Sequence, residues 1–202
     1  MVYRKTGHPA AQKQNRNKKD TEEEMSGNLI IYYSRRGQNY VQGEIKELEK
    51  GNTELLAEYI RDAVGADLFE IQTEKEYPED YMKCTEEAKE ELRTCARPRL
   101  KEYLKDIGDY DNIVIAGPCW WGTYPCAVFT QLEKLSFRGK RVFPVMTHEG
   151  SGEARSRADL KKFCRGAKIA KTLAVQGALC PTAEDEVKRW AQKNLKQGTG
   201  IR

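Results

Sequence analysis

Short apolar runs alternate with amphipathic stretches from Asn28 almost to the end of the chain. The first run, residues 29–33, is continuously apolar, as expected for a strand that is buried on both faces. Residues 53–64 then place apolar side chains at helical spacing, and Gly65 follows as a typical helix stop. Because strands that alternate with helices form βαβ units, this pattern predicts an α/β fold with a parallel sheet.

The same reasoning predicts the remaining elements. Further strands are predicted over residues 67–72, 112–116, 141–146 and 169–175. Helices are predicted over residues 79–96, 100–107, 128–135, 160–164 and 183–191. Residues 34–52 separate the first strand from its helix, whereas such a loop usually has about two to six residues. We therefore expect an inserted element at Tyr40–Lys50, which could be a cofactor clamp, a surface hairpin or a surface helix.

Composition restricts the cellular setting and the chemistry. With 202 residues the chain is long enough for one domain with its own core. It contains no apolar run of about 18 residues, so we expect a cytoplasmic protein without membrane contact. The six cysteines form no C-x-x-C pair and are expected to be reduced thiols. With only two histidines and no ligand-like spacing, no metal site is expected.

The formal net charge of +4 is unevenly distributed. Residues 1–19 contain basic side chains and no acidic one, and the rest of the chain is slightly acidic. Residues 1–26 are predicted to be a disordered basic arm, and residues 27–202 the folded domain. The acidic body gives no reason to expect nucleic-acid binding. An arm that docks to nucleic acid or to an acidic partner remains an alternative.

Three loops are predicted to meet at one edge of the sheet, because the carboxyl ends of parallel strands lie together. The loop after the first strand contains Ser34, Arg35 and Arg36, and it ends at a helix start with Asn52 and Thr53. Hydroxyl groups, guanidinium groups and free backbone N–H groups at a helix N-terminus are typical of a phosphate site.

The loops after the third and fourth strands have different chemistry. One contains adjacent tryptophans, and such a loop beyond a strand predicts a wall for a flat ligand. We favour Trp121 as this wall, with Trp120 against the protein. Cys119 could be a packing residue or a redox partner. His148 could donate a hydrogen bond or transfer a proton.

These loops resemble those of the flavodoxin family, in a branch with a long first loop. The resemblance is carried by Ser34, by Gly51-Asn52-Thr53, by the string Pro118–Thr123 and by the string Thr147–Gly152. It implies a three-layer α/β sandwich whose five-stranded parallel sheet has the order 2-1-3-4-5. It also implies FMN as the cofactor.

The resemblance assigns two groups of FMN-binding residues. The phosphate is expected at Ser34, Arg35, Arg36, Asn52 and Thr53. The flavin ring is expected between Pro118, Cys119, Trp120, Trp121, Gly122 and Thr123 on one side and Thr147, His148, Glu149, Gly150, Ser151 and Gly152 on the other.

The implied function is electron transfer by bound FMN between a reductase and an electron acceptor. An NAD(P)H-dependent flavin or quinone reductase on the same fold is the alternative. Other enzyme classes lack their motifs: the sequence has no Cys and Arg separated by five residues, no Gly-x-Ser-x-Gly and no Gly-x-x-x-x-Gly-Lys-Ser/Thr. We therefore do not expect a phosphatase, a hydrolase or a nucleotide triphosphatase.

Overall fold

A computed structural model describes residues 27–195, so the predicted basic arm at 1–26 lies outside the described residues. The strands are β1 (Gly27–Tyr32), β2 (Gly37–Val41), β3 (Glu44–Leu48), β4 (Asp67–Glu70), β5 (Tyr110–Pro118), β6 (Arg141–His148), β7 (Lys168–Ile169) and β8 (Leu173–Gln176). The helices are α1 (Asn52–Val64), α2 (Tyr81–Thr94), α3 (Cys126–Leu132), α4 (Ser156–Phe163), a 3₁₀ helix (Gly177–Thr182) and α5 (Glu184–Leu195).

The main sheet is parallel and follows the predicted order. β4, β1, β5 and β6 are neighbours in that sequence, and both β7 and β8 pair with β6. The last position is thus filled by two short strands, which makes six strands instead of the five predicted. β7 and β8 pair with β6 in registers that differ by one residue, as the pairs Arg141–Lys168 and Val145–Leu173 show. One extra residue between β7 and β8 therefore divides this edge of the sheet into two short strands.

Helices cover both faces of the sheet, which confirms the three-layer prediction. On one face, Leu56 and Ile60 of α1 and Val187 of α5 pack against β-strand side chains such as Ile30 and Val114. On the other face, the buried residues of α3 and α4 pack against the opposite side of the same strands. α2 lies beside α3.

The predicted helix at 100–107 is wrong, because tertiary contacts hold this segment in an irregular conformation. Leu100 forms a β-bridge with Thr73. The Gln131 side chain accepts from the Leu104 N–H at 3.0 Å and donates to the Leu104 carbonyl at 2.9 Å. These bonds satisfy the backbone without a helix, so the apolar residues of the segment enter the core by another route.

The inserted element is an antiparallel hairpin of β2 and β3. Its connecting residues, Gln42 and Gly43, have φ values of 52° and 90°. Positive φ at both central positions is the signature of a type I′ turn, whose twist matches that of a two-stranded hairpin.

All six cysteines are free thiols in the structure. Burial raises the pKa of Cys84 and Cys126 to about 11, and that of Cys164 and Cys180 to about 12. These four thiols stay protonated at neutral pH. Among the helices within residues 27–195, none combines the length and the apolar character needed to cross a membrane.

The buried side chain of Tyr124 gives a prediction about stability. Its buried hydroxyl group lies 3.1 Å from the Ile115 carbonyl oxygen and 3.2 Å from that of Val145. We expect Tyr124→Phe to lower the free energy of unfolding by about 1–2 kcal/mol, because buried carbonyl groups lose their donor. Tyr59→Phe is the control, with an expected change within about 0.5 kcal/mol in urea denaturation. Equal effects of the two substitutions would contradict this assignment.

Candidate functional site

A cleft opens where β1, β5 and β6 end and α1 begins. Ten of the residues predicted from the sequence line it: Ser34, Arg35, Asn52, Thr53, Pro118, Cys119, Trp120, Thr147, His148 and Glu149. The structure therefore brings all three predicted loops together.

The floor of the cleft is the first turn of α1. A Cβ atom at Gly51 would overlap the Ser34 hydroxyl and the Arg35 carbonyl, so only glycine allows this close approach. Ser34 Oγ accepts a hydrogen bond from the Glu54 N–H at 3.0 Å. Within residues 27–195, the N–H groups of Asn52 and Thr53 have no partner. Both residues line the cleft, at the positive end of the helix dipole.

Thr53 and Thr147 join α1 to the end of β6. Their side-chain oxygens are 2.9 Å apart, and both side chains are buried. The Thr147 carbonyl also accepts from the Cys119 N–H at 2.7 Å, which ties the loop after β5 to the same point. The three loops are thus fixed to one another at the bottom of the cleft.

The two arginines have different positions. Arg36 forms two hydrogen bonds to the Glu54 carboxylate, at 2.9 and 2.8 Å, and does not line the cleft. Arg36 therefore lies outside the cleft that the other four predicted phosphate residues line. Arg35 does line the cleft. Its Nε and Nη2 atoms donate to the carbonyl groups of Gln38, Pro78 and Glu79, so the loop is held against the chain before α2.

The double-tryptophan loop is a tight turn. The Trp120 N–H donates to the Thr123 carbonyl at 2.8 Å, and the Thr123 N–H donates to the Trp120 carbonyl at 3.2 Å. The central residues, Trp121 and Gly122, have φ values of 52° and 83°, as in a type I′ turn. A positive φ is unfavourable for a bulky residue, so the surrounding contacts must hold Trp121 in place.

This turn separates the two indoles. Trp120 lines the cleft and packs edge-on against Tyr33 and Tyr77, with ring centroids 5.4 and 5.1 Å apart. Trp121 is 49% exposed and lies over α2, where its Nε1 donates to the Thr85 carbonyl at 2.8 Å. The residue at the cleft is therefore Trp120, whereas the sequence argument favoured Trp121.

His148 and Glu149 lie on the opposite wall of the cleft. His148 Nδ1 accepts from the Gly150 N–H at 2.9 Å, and burial lowers the pKa of this imidazole. Glu149 Oε2 accepts from the Gln42 N–H at 3.2 Å. Its Oε1 atom is buried and has no hydrogen-bond partner among the described residues. The wall thus offers a neutral imidazole and an unsatisfied carboxylate oxygen.

The hairpin forms the outer side of the cleft. Tyr40 stacks on Tyr81 with ring centroids 6.1 Å apart, and Gln38 Oε1 accepts from the Tyr81 N–H at 3.0 Å. On its other side the hairpin reaches Glu149 through Gln42. The inserted element therefore spans the cleft from α2 to the loop after β6.

Four lining residues were not predicted: Asn39, Tyr40, Tyr81 and Gly177. The unusual length of the loop after β1 could have indicated that Asn39 and Tyr40 belong to the site. Gly177 directly follows β8, and residues at the carboxyl ends of parallel strands are the ones expected at the site, so it could also have been predicted. A Cβ atom there would overlap the side chains of Asn52 and Glu149.

Five further predicted residues do not line the cleft: Gly122, Thr123, Gly150, Ser151 and Gly152. Two of them, Gly122 and Thr123, instead form hydrogen bonds that fix the loop after β5. The Thr123 hydroxyl donates to Asp159 at 2.7 Å, and the Gly122 carbonyl accepts from the Arg155 N–H at 3.0 Å.

Comparison with known proteins gives a family and a set of similar folds. The family profile described as Flavodoxin matches residues 47–194. No curated protein sequence matches the chain. A protein from Bacteroides eggerthii DSM 20697, assigned as a flavoprotein, is 27% identical with a TM-score of 0.66, and the match covers 85% of this chain and 99% of that chain.

Two other solved structures are similar. One is assigned as a flavoprotein from Bacteroides uniformis ATCC 8492, with 25% identity, a TM-score of 0.65 and coverage of 83% of this chain and 98% of that chain. The other is a flavoprotein from Lactobacillus acidophilus NCFM in complex with FMN, with 20% identity and a TM-score of 0.57. Its match covers 82% of this chain and 99% of that chain.

The imidazole of His148 gives a prediction about pH. We expect its pKa in the folded protein to lie below the ordinary value near 6.5, because burial disfavours the charged form and protonated Nδ1 could not accept from Gly150. The stability due to this neutral imidazole is therefore present above pH 6.5 and is lost as the pH falls through the folded pKa.

An NMR titration of the histidine ring protons measures this pKa, with His148→Gln to distinguish His148 from His8. A pKa of His148 at or above 6.5 would contradict the assignment.

Proposed function

This chain belongs to the flavodoxin family, and from that premise we propose that it binds one FMN molecule in the cleft and carries electrons between redox proteins. FMN, when bound, supplies the electron-accepting and electron-donating chemistry. The described residues bind and orient the cofactor and set its surroundings.

The observation that carries the proposal is the pair of unpartnered N–H groups at the start of α1. Asn52 and Thr53 present these groups to the cleft, beside Ser34 and Arg35. Backbone donors at the positive end of a helix dipole suit a phosphate dianion. Arg35 adds a full positive charge to the same region.

The other part of the cleft suits a flat ring. Pro118, Cys119 and Trp120 supply apolar and aromatic surface, and His148 supplies a neutral imidazole. One indole edge is already packed against Tyr33 and Tyr77, so it forms a rigid wall. A ligand with a phosphate at one end and an aromatic ring at the other matches this division.

FMN is a ligand of this kind, with a phosphate at one end, an aromatic ring at the other and a polyhydroxylated chain between them. The similar flavoprotein of known structure that holds FMN supports the same choice of cofactor.

The paired substitutions Asn52→Pro and Asn52→Ala test the backbone donors. Proline is tolerated at the first helical position, and Gly51 has an extended backbone that accepts a following proline, with φ −70° and ψ 148°. Both variants lose the amide side chain, but only proline also loses the N–H. We expect Asn52→Pro to bind FMN about tenfold more weakly than Asn52→Ala, because one charge-assisted hydrogen bond is removed.

Riboflavin, which lacks the phosphate, is the ligand control for this comparison. The two variants should bind riboflavin equally, with all dissociation constants taken from quenching of flavin fluorescence. Equal FMN affinities for the two variants, or an equal loss for riboflavin, would place the phosphate elsewhere.

The carrier and the alternative NAD(P)H-dependent reductase differ in how the flavin is reduced. Membership of the flavodoxin family supports the carrier. We expect NADPH alone to leave the flavin absorbance of the FMN-loaded protein unchanged in a stopped-flow experiment, and a flavodoxin reductase with NADPH to bleach it. Rapid bleaching by NADPH alone would favour the reductase.

A further inference from the structure

A second cavity, of about 290 Å³, adjoins the cleft on the side of α2. Its inner wall consists of residues that also line the cleft, among them Arg35, Cys119 and Trp120. Its outer wall is the first half of α2, including Thr85 and Ala88. The cleft and the cavity therefore adjoin, and they share the lining residues Arg35, Tyr81, Cys119 and Trp120.

The lining of the cavity is mainly apolar with few polar groups, as in small-molecule sites. Trp120 and Trp121 supply aromatic surface, and Ala88 leaves space between the helix and the indoles. Aromatic surface of this kind favours stacking with a planar ligand.

The charges around the cavity are mixed, since the carboxylates of Glu87 and Glu91 act on Cys84 in its wall, and Arg35 is the cation that lines it. Arg35 uses Nε and Nη2 for the carbonyl groups of its own chain, and within residues 27–195 its Nη1 has no acceptor. Lys89 Nζ lies 5.0 Å from the centroid of the Trp121 ring. A ligand oxygen that is anionic or strongly polarised would meet Arg35 inside the cavity and Lys89 at its mouth.

The mouth of the cavity exposes large apolar side chains. Met82 is 61% exposed and Trp121 is 49% exposed. Trp121 is held there at positive φ by the hydrogen bond from its indole to Thr85. Strained residues of this kind concentrate at ligand sites, and a bound planar molecule would cover both side chains.

We propose that this cavity binds a planar aromatic carbonyl compound of the quinone class, with an anionic or carbonyl oxygen directed to Arg35. The role of this ligand as an electron acceptor rests on the proposed FMN function. Reduced FMN would give up two electrons and two protons to become oxidised FMN. The quinone would take them up at its two carbonyl oxygens to become the hydroquinone.

The test uses anthraquinone-2-sulfonate, a planar anionic quinone without the free ring positions that react with cysteine thiols. Its binding to the full-length protein is measured by isothermal titration calorimetry, both without FMN and with saturating FMN. We expect one site per chain with saturating FMN, and a second site without FMN, because the empty cleft also suits a flat anion. Anthracene-2-sulfonate and uncharged anthraquinone, which lack the carbonyl oxygens and the charge respectively, should each bind more weakly.

Two variants fill the cavity and one serves as a control. Ala88→Phe and Thr85→Phe should each weaken binding of the probe by about tenfold or more, because the new ring occupies the ligand volume. Glu86→Phe places the same side chain on the exposed face of α2 and should leave the affinity unchanged. FMN affinity should stay within about twofold in all three variants. Circular dichroism identifies a variant that does not fold, and the other filling variant then decides.

The outcomes separate this proposal from the proposed function. Probe binding in a protein that does not bind FMN would support the cavity as a site and overturn the flavin proposal. Loss of all probe binding at saturating FMN, or an equal loss of FMN affinity in the filling variants, would show that the cavity is not a separate site and overturn this inference.

Discussion

The architecture of the site depends on one close approach, that of Gly51 to the loop after β1. Since no side chain fits between Gly51 and the residues Ser34 and Arg35, the loop lies directly against the first turn of α1. Ser34 can then accept from the third N–H group of the helix, and the first two remain directed to the cleft. Backbone donors at the positive end of a helix dipole favour an anion, which is the basis of the proposed phosphate position. The rest of the site is arranged around this point, because Thr53 joins it to the end of β6 and Thr147 joins it to the loop after β5.

The inserted hairpin covers the outer side of the cleft. It contacts α2 through Tyr40 and Tyr81, and it contacts the loop after β6 through Gln42 and Glu149. These contacts come from both sides of the cleft, so movement of the hairpin would open both walls together. The turn with Trp121 is bonded to α2 and not to the hairpin. Trp120 therefore lines both the cleft and the second cavity, whereas Trp121 lines only the second cavity.

Much of this arrangement follows from the sequence. Buried strands are continuous apolar runs, and parallel strands bring their carboxyl ends together, so the fold and the meeting of three loops could be predicted. The helix predicted over 53–64 is observed as Asn52–Val64, with Gly65 in the left-handed conformation at its end. Where local propensity competes with tertiary contacts, prediction failed. Residues 100–107 have helical spacing, but the bridge to Thr73 and the side chain of Gln131 determine their conformation.

The directions of individual side chains also could not be predicted from the sequence. The Arg36 side chain points to Glu54 and the Trp121 side chain to Thr85, and neither partner can be identified from spacing.

Titration of the purified full-length protein with FMN, followed by flavin fluorescence and absorbance, measures whether the start of α1 and Trp120 together hold FMN. We expect saturable quenching with one FMN per chain, and we expect inorganic phosphate to weaken this binding by competition. Unquenched fluorescence throughout the titration would contradict it.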